Sequence, residues 1–174
     1  MYVAYHDEEW GRYIPNDDQR QFEFLVLESA QAGLSWITIL RKREAYRTAY
    51  LDFDATKVAQ WKEEDIQRLL ANPGIIRNRR KIEASIGNAQ AFLAIQNKYG
   101  SFSQWLLNFF DGKPLVNHFK EQNEVPALTP LSTVISKEMK SHGFKFFGPT
   151  ICYAHLQATG YINDHLIDCE FHSP

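Results

Sequence analysis

The sequence has 174 residues, of which 44% are apolar and 14% aromatic, enough to bury one substantial hydrophobic core. Charged residues make up 23% and the formal net charge is −2, which excludes a polyelectrolyte and a disordered chain. Binding to a polyanion would therefore require a local patch of basic residues. The sequence lacks an apolar run that could span a bilayer and a leader-like N-terminus, and two cysteines are too few for a disulfide framework. We therefore expect residues 1–174 to form one soluble, cytoplasmic domain without membrane contact.

Helical periodicity recurs along the chain while strand alternation hardly appears, so the sequence predicts an all-α fold. In the first hundred residues this periodicity predicts helices over about 18–32, 35–50, 58–61, 66–70 and 82–99. Gly33 ends the first of these helices, and the segment "ANPG" at 71–74 ends the fourth, because glycine and proline do not continue a helix.

The remaining elements are shorter and are separated by one long connection. Ser101 and Gln104 form a predicted capping box in front of a short helix over about 105–110. Residues 111–130 contain three prolines and predict a surface loop. Two further helices, over about 131–139 and 149–160, complete the predicted fold.

The stretch between these last two helices, "GFKFFGPTIC" at 143–152, has an unusual composition for a connector. Gly143 suits a left-handed turn, and Pro149 suits the first position of a helix. Gly148 lets a ligand approach the backbone, and peptide N–H groups at a helix N-terminus beside Lys145 favour an anion such as a phosphate. On composition alone, an ordinary helix–helix turn whose phenylalanines fill the core is the preferred interpretation of this stretch.

Six segments along the chain carry a resemblance to a known family. They are "AYHDEEWG" (4–11), "LESAQAGLSW" (27–36), "ILRKREAYR" (39–47), "GIIRNRRKIEASIGNA" (74–89), "GFKFFGPT" (143–150) and "NDHLIDC" (163–169). Together they resemble the 3-methyladenine DNA glycosylase I family of the helix-hairpin-helix DNA glycosylases, over nearly the whole chain. The resemblance implies a monomeric enzyme that takes double-stranded alkylated DNA as substrate and releases free 3-methyladenine.

Glu28 is the candidate catalytic and recognition residue. Its neighbours in sequence are largely apolar, and an ionised carboxylate there is costly unless a cation accompanies it. The alternative is a glutamate at a helix boundary that reaches water. In the resembled family the carboxylate at this position lies in the base pocket and recognises the methylated base.

The resemblance also implies residues that hold the flipped base and the DNA. An alkylated adenine is a cation, which the faces of aromatic rings attract, although such residues pack in cores more often than in sites. The implied base-binding residues are Tyr2, Tyr5, Trp10, Trp36 and Asn163. The implied DNA-binding residues are Leu34, which corresponds to the family's wedge, and Lys145, Gly148 and Thr150 of the hairpin.

Basic residues explain how a chain of net charge −2 could bind DNA. They cluster at 41–47, at 77–81 and around the hairpin at Lys137, Lys140 and Lys145. If these clusters share one face, they form a cationic footprint for the phosphate backbone; each alone is also typical of a solvated helix face.

Two departures from related glycosylases bear on the chemistry. Asn163 stands where many members of the superfamily carry a catalytic aspartate, and we do not expect the neighbouring Asp164 to replace it. Pro149 stands where bifunctional members carry a nucleophilic lysine, so we expect a monofunctional hydrolase. N3-alkylated adenine leaves as a neutral base and needs no general acid.

Zinc is the implied cofactor. His165 and Cys169 are four residues apart, a spacing that alone is weak evidence of a metal site. The resemblance adds His6 and a cysteine from an N-terminal arm, which the sequence lacks. Three alternatives follow: a truncated start, a site of three protein ligands completed by His172 or water, or the loss of zinc.

Two other functions compete with this hypothesis. A non-catalytic helix-hairpin-helix module would need the hairpin and the basic face but no buried carboxylate. A glycosylase for a different lesion would keep the mechanism without a preference for 3-methyladenine.

Overall fold

The computed structural model describes residues 1–172, which contain ten α-helices and one parallel pair of two-residue strands. The helices are α1 (Tyr2–Glu8), α2 (Asp18–Gln31), α3 (Trp36–Leu40), α4 (Arg43–Ala49), α5 (Ala55–Val58), α6 (Glu63–Leu70), α7 (Arg79–Tyr99), α8 (Phe102–Leu107), α9 (Pro130–Ser141) and α10 (Pro149–Ala158). The strands are β1 (Leu115–Val116) and β2 (Ile162–Asn163). The predicted all-α fold is confirmed. That residues 1–174 form one domain stays a prediction, and residues 173–174 lie outside the described part.

Helix α2 lies at the centre of the fold. Every residue from Gln21 to Ala30 is buried, so this helix is covered on all sides rather than along one stripe. It packs against α7, where the rings of Phe22 and Phe92 are 5.4 Å apart, and against α10. A side chain between Gln21 and Ala30 therefore points either into the core or toward a cavity. Within residues 1–172, none of the helices combines the length and apolar character that crossing a bilayer requires.

Side-chain caps explain where several helices begin. Asp17 accepts a hydrogen bond from the N–H of Arg20 at the start of α2. The Ser101 hydroxyl accepts from the N–H of Gln104, as predicted, but the reciprocal half of the capping box is wrong. The Gln104 side chain instead donates to Asn16 and so ties α8 to the loop before α2.

Several predicted boundaries differ from the structure. The helix predicted over 35–50 is two helices, because the chain tightens at Arg41–Lys42, where the Lys42 N–H donates to the carbonyl three residues back. The short helix predicted at 58–61 is α5, which ends at Val58. Helix α1 was not predicted, because its short polar and aromatic sequence has no helical period.

The predicted loop 111–130 has more structure than its prolines indicate. Its strand β1 pairs in parallel with β2, with Leu115 opposite Ile162 and Val116 opposite Asn163. A 3-10 turn follows at Gln122–Glu124. The pairing holds the loop against the segment that follows α10.

Candidate active site

A cavity of about 760 Å³ opens between the N-terminal segment, α2, α3, α10, the loop after β1 and the segment after β2. This volume is sufficient for a small-molecule ligand, such as a nucleobase with part of its sugar. Nine of the residues singled out from the sequence line it: Tyr2, Tyr5, His6, Trp10, Glu28, Trp36, Thr150, His165 and Cys169. Residues far apart in the sequence therefore meet around one space.

Glu28 lies in the wall of this cavity and is almost entirely withdrawn from solvent, with 2% of its surface exposed. Its Oε2 atom has no hydrogen-bond partner among the described residues. Burial raises the pKa of the Glu28 carboxyl to about 8, so the side chain is protonated at neutral pH when the cavity holds no cation. The alternative that Glu28 reaches water is wrong.

Aromatic rings line the same cavity as the Glu28 carboxyl. Tyr5 lies 5.5 Å from Trp36 and 6.5 Å from Tyr2 between ring centroids, and Trp10 lies 4.7 Å from the ring of His165. The Trp36 Nε1 is buried without a described hydrogen-bond partner. An apolar, π-rich wall beside an unpaired carboxyl suits a flat cationic ligand.

Two arginines behind this wall were not predicted to belong to the site. Arg20 donates to the backbone carbonyls of Glu9 (2.7 Å) and Ala158 (3.0 Å), which fixes the segment after α1 to the end of α10. Arg43 forms ion pairs with Glu9 at 2.7 Å and Glu23 at 2.8 Å. These contacts explain why α1 holds its place although its sequence has weak helical character. No sequence pattern marks them, because their partners are distant backbone atoms and side chains.

Asp164 also lies in the cavity wall, which the sequence did not lead us to expect. Its buried carboxylate accepts hydrogen bonds from Asn117 Nδ2 (2.6 Å), Gln157 Nε2 (2.7 Å) and the hydroxyl of Tyr153. Burial and the nearby carboxylate raise the pKa of the Tyr153 hydroxyl. Because its acceptors are engaged, Asp164 joins the loop 111–130 to α10, and this loop supplies the cavity wall at Gln122 and 125–127.

His6, His165 and Cys169 offer ligand atoms that all lie within 4.8 Å of one another. The His6 Nδ1 lies 2.7 Å from an Asp7 carboxylate oxygen, and the His165 Nδ1 lies 2.8 Å from the Asn163 Oδ1. Both acceptors favour a proton on Nδ1, which leaves each Nε2 lone pair available, and the His165 Nε2 is buried without a described partner. The donor set and its orientation fit a zinc ion.

Asn163 was predicted to contact the base. The structure places it in β2 and outside the cavity lining, with its Oδ1 also accepting the backbone N–H of His165 at 3.0 Å. Its observed contacts orient the His165 ring.

The connector at residues 142–148, hereafter the hairpin, joins α9 to α10. Gly143 has φ of +98°, as the predicted left-handed turn requires. Phe144 and Phe147 are buried in the core, so the phenylalanines do fill it, whereas Lys145, Phe146 and Gly148 are exposed. The space where a Gly148 side chain would begin holds no atom within 4 Å. The hairpin therefore presents open backbone at the start of α10, next to Thr150 in the cavity wall.

A second exposed turn, residues 31–35, joins α2 to α3 and is hereafter the wedge turn. It is closed by the Leu34 N–H donating to the Gln31 carbonyl at 2.6 Å, and Gly33 has φ of +83°. The Leu34 side chain is 41% exposed, which is unusual for a leucine beside a buried helix. The turn follows α2 only a few residues after Glu28.

The basic clusters at 41–47 and 77–81 do not form one free cationic face. Arg43 and Arg47 pair with Glu23, and Arg79 pairs with Glu63 and Glu83. Lys81 donates to two backbone carbonyls. Arg41, Arg77, Arg80, Lys137, Lys140 and Lys145 are exposed and form no ion pair within residues 1–172.

Comparison with known proteins matches this architecture over almost its full length. The methyladenine glycosylase family model matches residues 1–173. The chain is 46% identical over 170 residues to DNA-3-methyladenine glycosylase 1 of Escherichia coli, covering 97% of this chain and 90% of that protein. It is 45% identical over 170 residues to DNA-3-methyladenine glycosylase of Haemophilus influenzae, covering 97% and 91%.

A solved structure shares the fold in detail. It is the crystal structure of a tyrosine-to-phenylalanine variant of 3-methyladenine DNA glycosylase I in complex with 3-methyladenine. The TM-score is 0.96 at 40% identity, over 99% of this chain and 92% of that one. This chain therefore belongs to the methyladenine glycosylase family.

Proposed function

We propose that this protein is a monofunctional DNA glycosylase that flips 3-methyladenine out of alkylated double-stranded DNA and hydrolyses its N-glycosidic bond in base excision repair. The observation that carries the proposal is the unpaired, buried carboxyl of Glu28 in a cavity walled by aromatic rings. Such a carboxyl is stable as an anion only beside a cation, and an N3-methylated adenine in DNA is a cation of suitable size.

Recognition of the lesion couples to the ionisation of Glu28. A cationic base lowers the pKa of the carboxyl from its raised value of about 8, and the anion formed then holds the cation. Unmodified adenine is neutral, so it leaves the carboxyl protonated and gains no ion pair. The extruded base contacts the rings of Tyr5, Trp10 and Trp36. These contacts compensate for the stacking energy that the base loses when it leaves the duplex.

Cleavage needs little acid–base chemistry from the protein. The alkylated base departs as a neutral molecule, so the bond breaks without protonation of the leaving group. The sugar gains oxocarbenium character, which the Glu28 carboxylate in the cavity stabilises electrostatically, and water completes the hydrolysis. The hairpin-helix position occupied by lysine in bifunctional enzymes is Pro149, which has no amine nucleophile.

The hairpin and the wedge turn hold the DNA around the flipped nucleotide. Open backbone at Gly148 and the N-terminus of the ten-residue helix α10 suit a phosphate, with Lys145 beside it. Thr150 lies in the cavity wall next to this position. Leu34 fills the space that the extruded base vacates in the duplex.

His6, His165 and Cys169 would hold a zinc ion, which would supply a structural cross-link between α1 and the segment after β2. Asp7 and Asn163 orient the two histidines. A water would be the fourth ligand, since the His172 Nε2 lies 3.0 Å from the Asn117 carbonyl oxygen and His172 is not part of this group of ligands. The experiment is metal analysis of the purified protein, with Cys169→Ser as the variant. One bound zinc, lost in the variant, supports the assignment; an equal metal content in both overturns it.

The function is tested by incubating the protein with methylated DNA and identifying the released bases by chromatography. We expect free 3-methyladenine, and with Glu28→Gln a large reduction in its release. Release of other bases without preference for 3-methyladenine would indicate a glycosylase for another lesion. DNA binding without release, unchanged in Glu28→Gln, would indicate a non-catalytic binding module. We place the enzyme in the cytoplasm as a monomer.

A further inference from the structure

We propose that helix α7 sets the spacing of the DNA-binding surface, with Asn88 and Lys81 as positioning residues that hold the hairpin and the wedge turn to one rigid support. The inference deepens the proposed function and rests on it, since it assumes that these two turns contact DNA. Neither residue lines the cavity, so each acts through the backbone that it holds.

Asn88 holds the hairpin by its backbone. The Asn88 Nδ2 donates to the Lys145 carbonyl at 3.0 Å, and the Asn88 Oδ1 accepts from the Lys145 N–H at 2.8 Å. The side chain is 2% exposed, so both bonds are shielded from water. The Asn88 side chain therefore satisfies both the backbone N–H and the backbone carbonyl of Lys145.

The residue after this clamp explains why the hairpin needs it. Phe146 has φ of +54°, a left-handed conformation that is unfavourable for a bulky residue without local restraint. Its ring is exposed, so burial of this side chain does not impose the conformation. The Asn88 clamp on Lys145, together with the buried rings of Phe144 and Phe147 on either side, is what fixes the backbone here.

Lys81 holds the wedge turn in a corresponding way. Its Nζ donates to the Ala30 carbonyl at 2.8 Å and to the Ala32 carbonyl at 2.7 Å. These are carbonyls at the end of α2, where helix geometry leaves acceptors without partners and favours a positive charge. The contact fixes the direction in which the chain leaves α2, immediately before Gly33 and Leu34.

Lys81 and Asn88 are seven residues apart, so they lie two turns apart on nearly the same face of α7, separated by about 10 Å along its axis. The helix has 21 residues and is anchored in the core by Ile82, Ala89 and Phe92, so this separation is fixed. A wedge and a phosphate clamp must engage one strand on both sides of a single extruded nucleotide. The enzyme pre-organises that distance instead of ordering it on binding.

The test separates binding of the DNA from binding of the base. Affinity for a duplex carrying a tetrahydrofuran abasic analogue is measured by fluorescence anisotropy, and affinity for free 3-methyladenine by calorimetry. We expect Asn88→Leu and Lys81→Met each to weaken duplex binding by about tenfold, as expected when a pre-formed contact must be ordered on binding. Affinity for the free base should stay within about twofold of wild type.

Two matched controls lie on the same helix. Gln90→Leu removes a side-chain hydrogen bond to the Ala59 carbonyl on another face and should leave duplex binding unchanged. Arg80→Gln removes an exposed charge next to Lys81 and reports the effect of charge alone. A 2-aminopurine placed opposite the abasic analogue reports insertion of Leu34, because its fluorescence increases when the base is unstacked. The fluorescence of the complex should be lower with Lys81→Met than with wild type, and unchanged with Arg80→Gln.

Three results would overturn the proposal: parallel losses of duplex and base affinity, no loss of duplex affinity, or a Lys81→Met effect equal to that of Arg80→Gln in size and salt dependence. Failure of the proposed function is a separate observation. In that case the wild-type protein itself would show no preferential release of 3-methyladenine, before any variant is compared.

Discussion

Replacing Glu28 with glutamine should stabilise the unliganded protein while impairing its activity. The carboxyl is buried and has an oxygen without a partner, so the folded protein must keep a proton on it that the unfolded chain releases. Glutamine has nearly the same shape and does not titrate. The pH dependence of the stability difference between the two proteins therefore measures the free energy that burial of the Glu28 carboxyl costs when the cavity holds no cation.

The magnitude follows from the pKa of Glu28, about 8 in the folded protein against 4.5 for an unperturbed glutamate. Below pH 4.5 the carboxyl is protonated in both states and its raised pKa has no effect on stability. As pH rises, the carboxyl loses its proton in the unfolded state before it does so in the folded state. The free energy of unfolding of the wild type therefore falls by about 3 kcal/mol by pH 7 and by roughly 5 kcal/mol above pH 8. The glutamine variant does not undergo this loss.

The assay is urea unfolding of both proteins across about pH 4.5 to 8.5. The glutamine amide brings its own unsatisfied groups, so the absolute difference at one pH is a poor measure. The change in that difference with pH is the diagnostic, because only the acid titrates. It should grow with pH in favour of the variant and level off near pH 8.

Glu23 on the same helix provides the matched control. It is buried but accepts from Arg43 at 2.8 Å and from Arg47 at 3.0 Å, so Glu23→Gln should destabilise the protein near neutral pH. A stability difference between wild type and Glu28→Gln that stays constant across the pH range would refute the reasoning. So would a gain in stability for Glu23→Gln equal to that for Glu28→Gln.

Four further substitutions test other parts of the structure. Gly148→Ala should leave the melting temperature unchanged, because φ is −76° and no atom lies within 4 Å of the added methyl group. The same methyl group would collide with a bound phosphate, so duplex affinity measured by fluorescence anisotropy should fall. Gly160→Ala should destabilise the fold by more than about 3 kcal/mol in urea unfolding, because its Cβ would lie 2.1 Å from the backbone of Arg12 and φ is +76°. Asp164→Asn places an amide against three donors, and chromatographic assays should show slower release of 3-methyladenine, whereas Asn117→Ala, which frees one acceptor, should have a smaller effect.

The sequence predicted the parts of the fold that depend on local patterns. Helices with clear apolar periods are where the sequence predicted them: α2 begins at Asp18 as expected, and α7 ends at Tyr99 as expected but begins at Arg79, three residues before its predicted start. Gly143 adopts the positive φ predicted for its left-handed turn, and Gly33, which was predicted to end its helix, follows α2 with a positive φ as well. These features are decided within a few residues, so a single sequence contains the information.

The parts that were missed depend on long-range contacts. Helix α1 is held by Arg20 and Arg43, whose partners lie across the fold. Asp164 reaches the cavity because β2 pairs with β1, and strands of two residues leave no alternation to detect. Basic residues that look like a DNA-binding face, such as Arg79, are instead neutralised by glutamates that only the fold brings near.

The cavity has one consequence for the biosynthesis of the enzyme. Its walls join α1 to the segment after β2, and the rings of His6 and His165 lie 4.7 Å apart across that junction. The ribosome synthesises a chain from its N-terminus. The segment with His165 is therefore made more than a hundred and fifty residues after α1, which it must contact to complete the cavity. We expect a chain that ends before this counterpart to lack one wall of the cavity. Competence to excise a base thus arises in a single late event, when the end of the chain docks.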